Sequence, residues 1–145
     1  MEPWRERTNL TIGTTSVTNF NIDYSEDVFL AKINGGGTVS WMKHYGGIGA
    51  DTLGDMAIDP SINSSGVYLT GSFLSTNFAA GNTNLTRQNP GGSDSYTAKI
   101  DLNGNLLWIN QGTYSSGDYI AVDVSNNCYV VGHVLGVRGF TFLDH

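Results

Sequence analysis

The chain is poor in several residue types, and each shortage excludes a class of protein. It has a single cysteine, Cys128, so no disulfide can form within it. Charged residues make up 14% of the sequence, against roughly 25% in typical soluble domains. The 7 lysines and arginines are scattered and form no basic stripe, which disfavours nucleic acid as a partner. No run of about 18 apolar residues occurs, so we expect no membrane span.

Helix-forming residues are scarce as well, whereas glycine is abundant. The 19 glycines, together with many Asn, Ser and Thr residues, suit short strands joined by tight turns. With 145 residues, the chain is long enough for one ordinary domain with a core. Its first residues, Met1–Arg7, are charged and no apolar stretch follows them. We therefore predict no secretory signal peptide in this chain.

A repeated pattern is the most informative feature that is present. The segment DVFLAKI at 27–33 recurs as DSYTAKI at 94–100. Trp41 and Trp108 each follow the first aspartate of their copy by 14 residues, so the two copies are offset by 67 residues. Self-similarity on this scale is typical of a modular β architecture.

The repeats predict four types of strand. The first type covers 55–59 and 119–123, the second 9–13, 66–71 and 127–132, the third 27–33 and 94–100, and the fourth 38–42 and 105–109. Each is about five to seven residues long, the usual length of a strand. The turns Asn34–Gly37 and Leu102–Asn105 contain Asn-Gly, a strong hairpin signal. The polar segment 79–93 is predicted to be a loop.

The order of these strands predicts an all-β fold, a β-propeller segment of four-stranded antiparallel blades. About two blades' worth of strands are present, and one blade is complete. The expected divisions are an N-terminal tail over 1–8, a propeller segment over 9–134 and a C-terminal tail over 135–145, the segment consisting of a partial blade at 9–45, a complete blade at 54–112 and a partial blade at 117–134. Closed propellers need about four to eight blades. We therefore expect the chain to belong to a longer propeller or to an oligomeric ring.

The repeated pieces, in this order, resemble a known family. They are DVFLAKI at 27–33, Gly-x-x-x-Trp ending at Trp41, YGG at 45–47, AID at 57–59 and GVYLTG at 66–71. This series resembles the SBBP-type β-propeller repeat, and the likeness covers roughly residues 9–134. The second pass has Gln-Gly-Thr at 111–113 where the first has the Gly-Gly pair. The resemblance implies a bladed propeller, most often in cell-surface or extracellular proteins, and it implies no enzymatic activity, cofactor or site residue.

The predicted function is a non-catalytic binding or structural module with no cofactor and no metal. Its expected partners are other copies or the remainder of a longer chain, and a glycan or protein ligand is a further possibility. Two alternatives stay open: a glycan-active hydrolase or lyase with carboxylates at the channel mouth, and a virion or filament assembly subunit. An enzyme predicts two carboxylates of first-type strands within about 5–10 Å, one with a shifted pKa. A binding module predicts an exposed aromatic residue in loop 79–93 or 59–66.

The candidate acidic residues lie in or next to the first strand type. They are Asp51, Asp55, Asp59, Asp118 and Asp123. Paired carboxylates could carry out acid–base chemistry or bind a cation. Aspartates near turns more often accept hydrogen bonds from backbone N–H groups. The sequence favours this structural role.

The remaining motifs are predicted to be structural. The turn Asp101–Asn105 lacks the glycine and glutamate positions of a calcium loop, and Gly46–Asp51 lacks the Lys-Ser/Thr pair of a phosphate loop. His44, His133 and His145 have no ligand spacing. Repetition predicts that Trp41, Trp108, Tyr45, Tyr68 and Tyr129 pack between blades, that Cys128 is a small buried apolar residue, and that the unrepeated Trp4 and Tyr114 are more exposed.

Overall fold

The computed structural model describes residues 8–19 and 24–136, which form strands and no helix. The predicted all-β class is therefore confirmed. The strands are β1 (Thr8–Ile12), β2 (Thr15–Asn19), β3 (Val28–Ile33), β4 (Val39–Tyr45), β5 (Asp51–Ile58), β6 (Gly66–Phe73), β7 (Asn77–Ala80), β8 (Thr83–Thr86), β9 (Asp94–Asp101), β10 (Leu106–Gly112), β11 (Ser115–Val122) and β12 (Cys128–Val134).

A four-stranded antiparallel sheet, the central sheet, has the order β5-β6-β9-β10. The ladder between β6 and β9 runs without a break, from Gly66 opposite Asp101 to Phe73 opposite Asp94. A bulge in β5 falls at Gly54. The four strands follow the predicted sequence of first, second, third and fourth types. Strand β5 begins four residues before the predicted start at 55.

The other strands form four two-stranded hairpins, β1-β2, β3-β4, β7-β8 and β11-β12. Strand β1, which the sequence assigns to the second type, pairs with β2 and not with β3. Gly13, with φ of 61°, and Thr14 turn the chain back at once. The segment 9–45 therefore forms two separate hairpins.

The prediction of a loop over all of 79–93 is wrong, because the hairpin β7-β8 occupies its first half. Gly81, with φ of 58°, and Asn82 form the turn of this hairpin. Such a Gly-Asn pair is itself a hairpin signal. The flanking strands have only four residues each, too few for a clear alternating pattern.

Stacked aromatic rings fill the space between the central sheet, β7 and β4. The Phe78 ring lies 5.2 Å from the ring of Phe73 and 4.8 Å from the ring of Tyr96, centroid to centroid. All three side chains are buried, as is Tyr45 on β4. This cluster fixes the hairpins β3-β4 and β7-β8 to one face of the central sheet, because rings at such distances contribute both buried area and favourable ring contacts.

Strand β11 covers the opposite face of the central sheet through very close backbone contact. A Cβ atom on Gly54 would collide with the carbonyl oxygen of Gly117, and one on Gly117 would collide with the Thr70 hydroxyl. The backbone N–H of Ile120 donates to Asp55 Oδ2 at 3.1 Å. Glycine at both positions is what allows β11 to approach β5 and β6 this closely.

The repeated aromatic residues have different environments. Trp41 is half-buried against the core, and its indole Nε1–H donates to the carbonyl oxygen of Leu102 at 2.9 Å. Trp108 meets the buried Tyr68 edge to face, with centroids 5.9 Å apart. Tyr129, however, is 62% exposed, so its predicted interior packing is wrong for the described chain.

Two further predictions about exposure need correction. Cys128 is half-buried and not fully enclosed, because it lies at the start of β12, whose remaining residues are exposed. Tyr114 is half-buried, since its backbone N–H is held by the buried carboxylate of Asp94. Trp4 lies outside the described residues.

We predict that Gly54→Ala lowers the free energy of unfolding by about 1–3 kcal/mol, because the added methyl group forces β5 and β11 apart. Gly35→Ala is the matched control, since nothing lies within 4 Å of a Cβ at Gly35. The control should change stability by about 0.5 kcal/mol or less. Urea unfolding measures both values. Equal losses in the two variants would contradict the close packing of β11 on β5.

Candidate functional site

Four polar side chains meet where β4 ends and β5 begins. We call this group the acidic corner, and it consists of Asp27, His44, Asp51 and Ser75. Asp27 precedes β3, His44 lies on β4, Asp51 opens β5 and Ser75 follows β6. Antiparallel pairing of β3 with β4 and of β5 with β6 brings these distant positions together.

The first pair in the acidic corner joins His44 to Asp27. His44 Nε2 lies 2.5 Å from Asp27 Oδ2, and the Asp27 side chain is 2% exposed. In the second repeat, Gln111 Nε2 donates to Asp94 Oδ2 at 2.7 Å. Both partners follow their aspartate by 17 residues. Both copies of the repeat therefore pair a carboxylate with a side chain on the neighbouring strand. The shared spacing of 17 residues is the sequence signal that indicates the His44–Asp27 pair.

The second carboxylate of the acidic corner, Asp51, is almost completely enclosed by donors. Its Oδ1 accepts backbone N–H groups from Leu74 at 3.2 Å and Ser75 at 3.1 Å. Its Oδ2 accepts the Gly47 N–H at 2.9 Å and the Ser75 hydroxyl at 2.5 Å. Burial nevertheless raises the pKa of Asp51, and the nearby Asp27 charge raises it further, against the lowering effect of the Ser75 and Gly47 hydrogen bonds.

The two carboxylates approach one point in space. A Cβ atom on Gly46 would collide with Asp27 Oδ1 and would lie 2.9 Å from Asp51 Oδ2. A shallow cleft of about 400 Å³ opens in front of them. It is lined by Glu26, Asp27, Val28, Phe29, Asp51, Thr52 and Leu53. Carboxylates therefore lie at the bottom of this cleft, and the exposed apolar side chains of Phe29 and Leu53 lie beside them.

Two buried tyrosines lie near the acidic corner. Burial raises the pKa of Tyr45 to about 12, and its hydroxyl has no hydrogen-bond partner within residues 8–19 and 24–136. Burial also raises the pKa of Tyr96, with smaller contributions from Asp51 and Tyr45, and its hydroxyl donates to the carbonyl oxygen of Thr52 at 3.1 Å. Both phenols therefore stay protonated at neutral pH and contribute packing.

A second cleft, which we call the polar groove, lies between β4 and the turns of β7-β8 and β9-β10. Its volume is about 310 Å³. It is lined by Lys43, His44, Tyr45, Gly81, Asn82, Thr83, Gly104, Asn105 and Leu106. Amide and hydroxyl groups of this kind suit a hydroxyl-rich or peptide ligand.

Two of the predicted acidic residues, Asp59 and Asp123, hold turns together. Asp59 Oδ1 accepts the Ser61 N–H at 2.9 Å, and its Oδ2 accepts the Ser65 N–H at 2.8 Å. Asp123 Oδ1 accepts the Ser125 and Asn127 N–H groups, both at 2.9 Å. The Ser65 N–H lowers the pKa of Asp59 most, and the Asn127 side-chain amide, which donates to Asp123 Oδ2 at 2.9 Å, lowers the pKa of Asp123 most, because both hydrogen bonds favour the ionised form.

The other two first-type acids hold strands together. Asp55 Oδ1 accepts the N–H of Met56 at 2.8 Å, and its Oδ2 accepts the N–H of Ile120. Asp118 Oδ2 lies 2.5 Å from His133 Nδ1 on the β11-β12 hairpin. The carboxylate with the raised pKa is Asp51, and the acid that it faces, Asp27, precedes a third-type strand. This pair differs from the one that an enzyme was expected to show.

The remaining sequence motifs have structural roles. Asp101 accepts the N–H groups of Asn103 and Asn105, both at 2.8 Å, within the β9-β10 turn. The Gly46–Asp51 segment is the connection between β4 and β5, and its Gly47 N–H is bound by the chain itself. Neither 59–66 nor 79–93 contains an aromatic residue, so the feature expected of a binding module is absent from both. His145 lies outside the described residues.

Three further features bear on function: metal-ligating clusters, membrane-spanning helices and similarity to known proteins. In the part of the chain that the structure describes, no group of three or more His, Cys, Asp or Glu side chains is placed to hold a metal ion. That same part has no helix with the length and apolarity to cross a membrane. No family model matches the chain, and no curated protein matches it.

Asp59 and Asp51 should have opposite effects on how the free energy of unfolding changes as the pH falls. Hydrogen bonds from Ser65 and Ser61 lower the pKa of Asp59, so its stabilising contribution is present above the ordinary pKa of 3.8 and is lost as the pH falls toward the folded pKa. Burial raises the pKa of Asp51 above 3.8, so the folded chain binds this proton more readily than the unfolded chain. Its contribution to stability therefore decreases as the pH rises through that window.

We predict that Asp59→Asn makes the loss of stability between about pH 5 and pH 2 shallower, and that Asp51→Asn makes it steeper. Urea unfolding at a series of pH values gives both slopes. Each variant removes one carboxylate, so each serves as the control for the other's change in net charge. Slopes that move in the same direction would refute the opposite pKa shifts of the two groups.

Proposed function

We propose that the chain is a non-catalytic β-propeller module of two blades' worth of strands, which acts as a binding or structural part of a larger assembly. In this proposal, the central sheet is one complete blade, β3-β4 is the outer half of the preceding blade, and β11-β12 is the inner half of the following blade. The order β5-β6-β9-β10 supports this assignment, because it is the up-and-down order of a propeller blade.

The observation that carries the proposal is the placement of equivalent strands on opposite faces of the central sheet. Strands β5 and β11 belong to the first type, and they meet where Gly54 approaches the carbonyl oxygens of Gly117 and Asp118, the second of which is the residue that the repeat aligns with Gly54. Strands β4 and β10 belong to the fourth type, and Trp41 on β4 reaches the β9-β10 turn at Leu102. Strands of the same type therefore lie beside each other on both faces of the central sheet, as radially arranged blades require.

The chemistry of the acidic corner supports a structural role for its carboxylates. Asp51 accepts hydrogen bonds from Gly47, Leu74 and Ser75, so its oxygens are occupied by donors of the chain. A general acid or nucleophile needs an oxygen that a substrate can reach. Asp59 and Asp123 are likewise occupied by turn N–H groups.

One observation favours the hydrolase or lyase alternative, namely the approach of Asp27 and Asp51 beside His44 at an open cleft. The raised pKa of Asp51 is of the kind that an acid catalyst needs. The Gln111–Asp94 pair weakens this alternative, because the other repeat makes the same contact with a side chain that cannot transfer protons.

A ligand of the proposed module would bind in the polar groove, where amide and hydroxyl groups converge. Glycans and peptides both present groups that such side chains recognise. The resemblance to SBBP-type repeats adds an extracellular or cell-surface location to the proposal. Assembly into a virion or filament is a third proposal, which also uses the edges of β3 and β12 that have no strand partner within residues 8–19 and 24–136.

The non-catalytic proposal is tested with His44→Gln, which copies the Gln111–Asp94 pair of the other repeat. We expect no release of reducing ends from a panel of oligosaccharides by the wild-type chain or by this variant. The variant should keep its fold and change stability by about 1 kcal/mol or less, since the hydrogen bond to Asp27 is retained. Turnover by the wild type that disappears in a folded His44→Gln variant would establish the enzyme alternative.

A further inference from the structure

Two surfaces lack a strand partner among the residues that the structure describes, and they lie at opposite ends of the strand series. The first, the receiving slot, consists of the free edge of β3 and the uncovered face of β5; the second, the donor hairpin, is β11-β12. Within the described ranges, β3 pairs only with β4 and β12 pairs only with β11. The exposed apolar side chains of the slot are Phe29, Leu53, Met56 and Ile58, and those of the hairpin are Tyr119, Tyr129, Val131 and Val134.

We propose that the donor hairpin of a second copy of this chain fills the receiving slot. In the order β11-β12-β3-β4, the strand types then run from first to fourth, as they do in the central sheet. The slot lacks a first-type and a second-type strand, and the donor hairpin consists of one of each. This inference rests on the proposed propeller function and adds the partner and the contact surface.

The repeat gives the register of the new pairing. Val67 lies opposite Ile100 in the central sheet. The repeat aligns Val67 with Cys128 and Ile100 with Ile33. Cys128 of the second copy therefore lies opposite Ile33, and the two edges form a continuous antiparallel ladder. An unpaired edge strand is a ready template for such pairing.

The side chains at this junction repeat a contact that already exists in the central sheet. There, Tyr68 lies under the Lys99 ammonium group, 4.9 Å from ring centroid to Nζ, and against Trp108. In the aligned sequence these positions are Tyr129, Lys32 and Trp41. Tyr129 of the second copy would enter the same lysine–tryptophan environment, which explains why its ring is exposed in the single chain.

Lys32 and Trp41 are already held in place to receive this ring. The Lys32 ammonium group and the Trp41 indole N–H both donate to the carbonyl oxygen of Leu102, at 3.2 Å and 2.9 Å. Their orientation is therefore fixed before the second copy arrives, which lowers the entropic cost of association.

The apolar surfaces also match. The outward face of the donor hairpin presents Tyr119, Tyr129 and Val131. In the assembled blade it packs on the β5 face that Leu53, Met56 and Ile58 leave exposed. The cleft in front of the acidic corner lies at the end of the slot where Val134 of the second copy enters. Burial of these side chains supplies the driving force for association.

Head-to-tail pairing of this kind closes into a ring when the rotation per copy fits. Each copy supplies two blades' worth of strands, so rings of four, six or eight blades need two, three or four copies. This range agrees with the roughly four to eight blades of closed propellers. The assembled protein should therefore have two, three or four times the chain mass of 15.6 kDa.

The register is tested by oxidative cross-linking of the full chain carrying Ile33→Cys. Cys128 is the only native cysteine, and Ile33 is 51% exposed, so the variant places one new thiol on the slot without disturbing the core. Directly opposed residues of antiparallel strands have Cα atoms about 4.5–5.5 Å apart, within the range of a disulfide. We expect a ladder of disulfide-linked oligomers, in which the disulfide joins residue 33 of one copy to residue 128 of another.

Asn82→Cys is the control, because it places the new thiol at the exposed tip of the β7-β8 hairpin and not on the slot. It should give several-fold less of the ladder, as should Ile33→Cys combined with Cys128→Val. Light scattering should show a discrete oligomer for the wild type. Tyr119→Lys should shift this oligomer to a folded monomer, whereas Ile62→Lys, on an exposed loop, should not.

A folded wild-type monomer at high concentration, or an oligomer whose cross-links do not join 33 to 128, would overturn the second-copy assignment. A monomer would instead indicate that strands of a longer chain fill the receiving slot. Neither result affects the non-catalytic proposal, which fails only if the chain shows turnover.

Discussion

The fold depends on the packing of other strands against both faces of one four-stranded sheet. Four of the five sheets in the described residues are two-stranded hairpins, and an isolated hairpin is marginally stable at best in water. The Phe73–Phe78–Tyr96 stack fixes hairpins on one face, and the close approach of Gly54 to Gly117 fixes β11 on the other. Each hairpin therefore owes its stability to the central sheet more than to its own hydrogen bonds.

The acidic side chains explain how a chain with so few charges forms so many defined turns. Asp59, Asp101 and Asp123 each accept two or more hydrogen bonds within one turn. Asp51 and Asp94 do the same between elements that are distant in sequence. Charge-assisted hydrogen bonds are stronger than neutral ones, so a small number of aspartates fixes the loops while the strands supply the core.

Repetition made the strands of the central sheet predictable, because two copies of one pattern reveal which differences are tolerated. The turn before Trp41 and the turn before Trp108 were found from their Asn-Gly signals, and both hairpins form. Alternation does not predict the hairpin β7-β8, since its strands have only four residues each. The His44–Asp27 pair is not apparent from either residue alone, because the two meet through cross-strand pairing, and only the 17-residue spacing that Asp94 and Gln111 share indicates it. The repeat predicts that Tyr129 is buried, but its ring is exposed because a repeated residue is buried only where its neighbouring strands are present.

The hairpin β7-β8 lies outside the ladder of the central sheet, although it interrupts the chain between β6 and β9. Strands β6 and β9 pair continuously from Gly66 to Phe73 whatever the chain does between them. Phe78 anchors the base of the hairpin, while Gly81 and Asn82 at its tip are exposed. The tip is consequently a position where foreign peptide sequence can be grafted without shifting the alignment of the strands beneath, which makes this hairpin a natural display site in engineered versions of the chain.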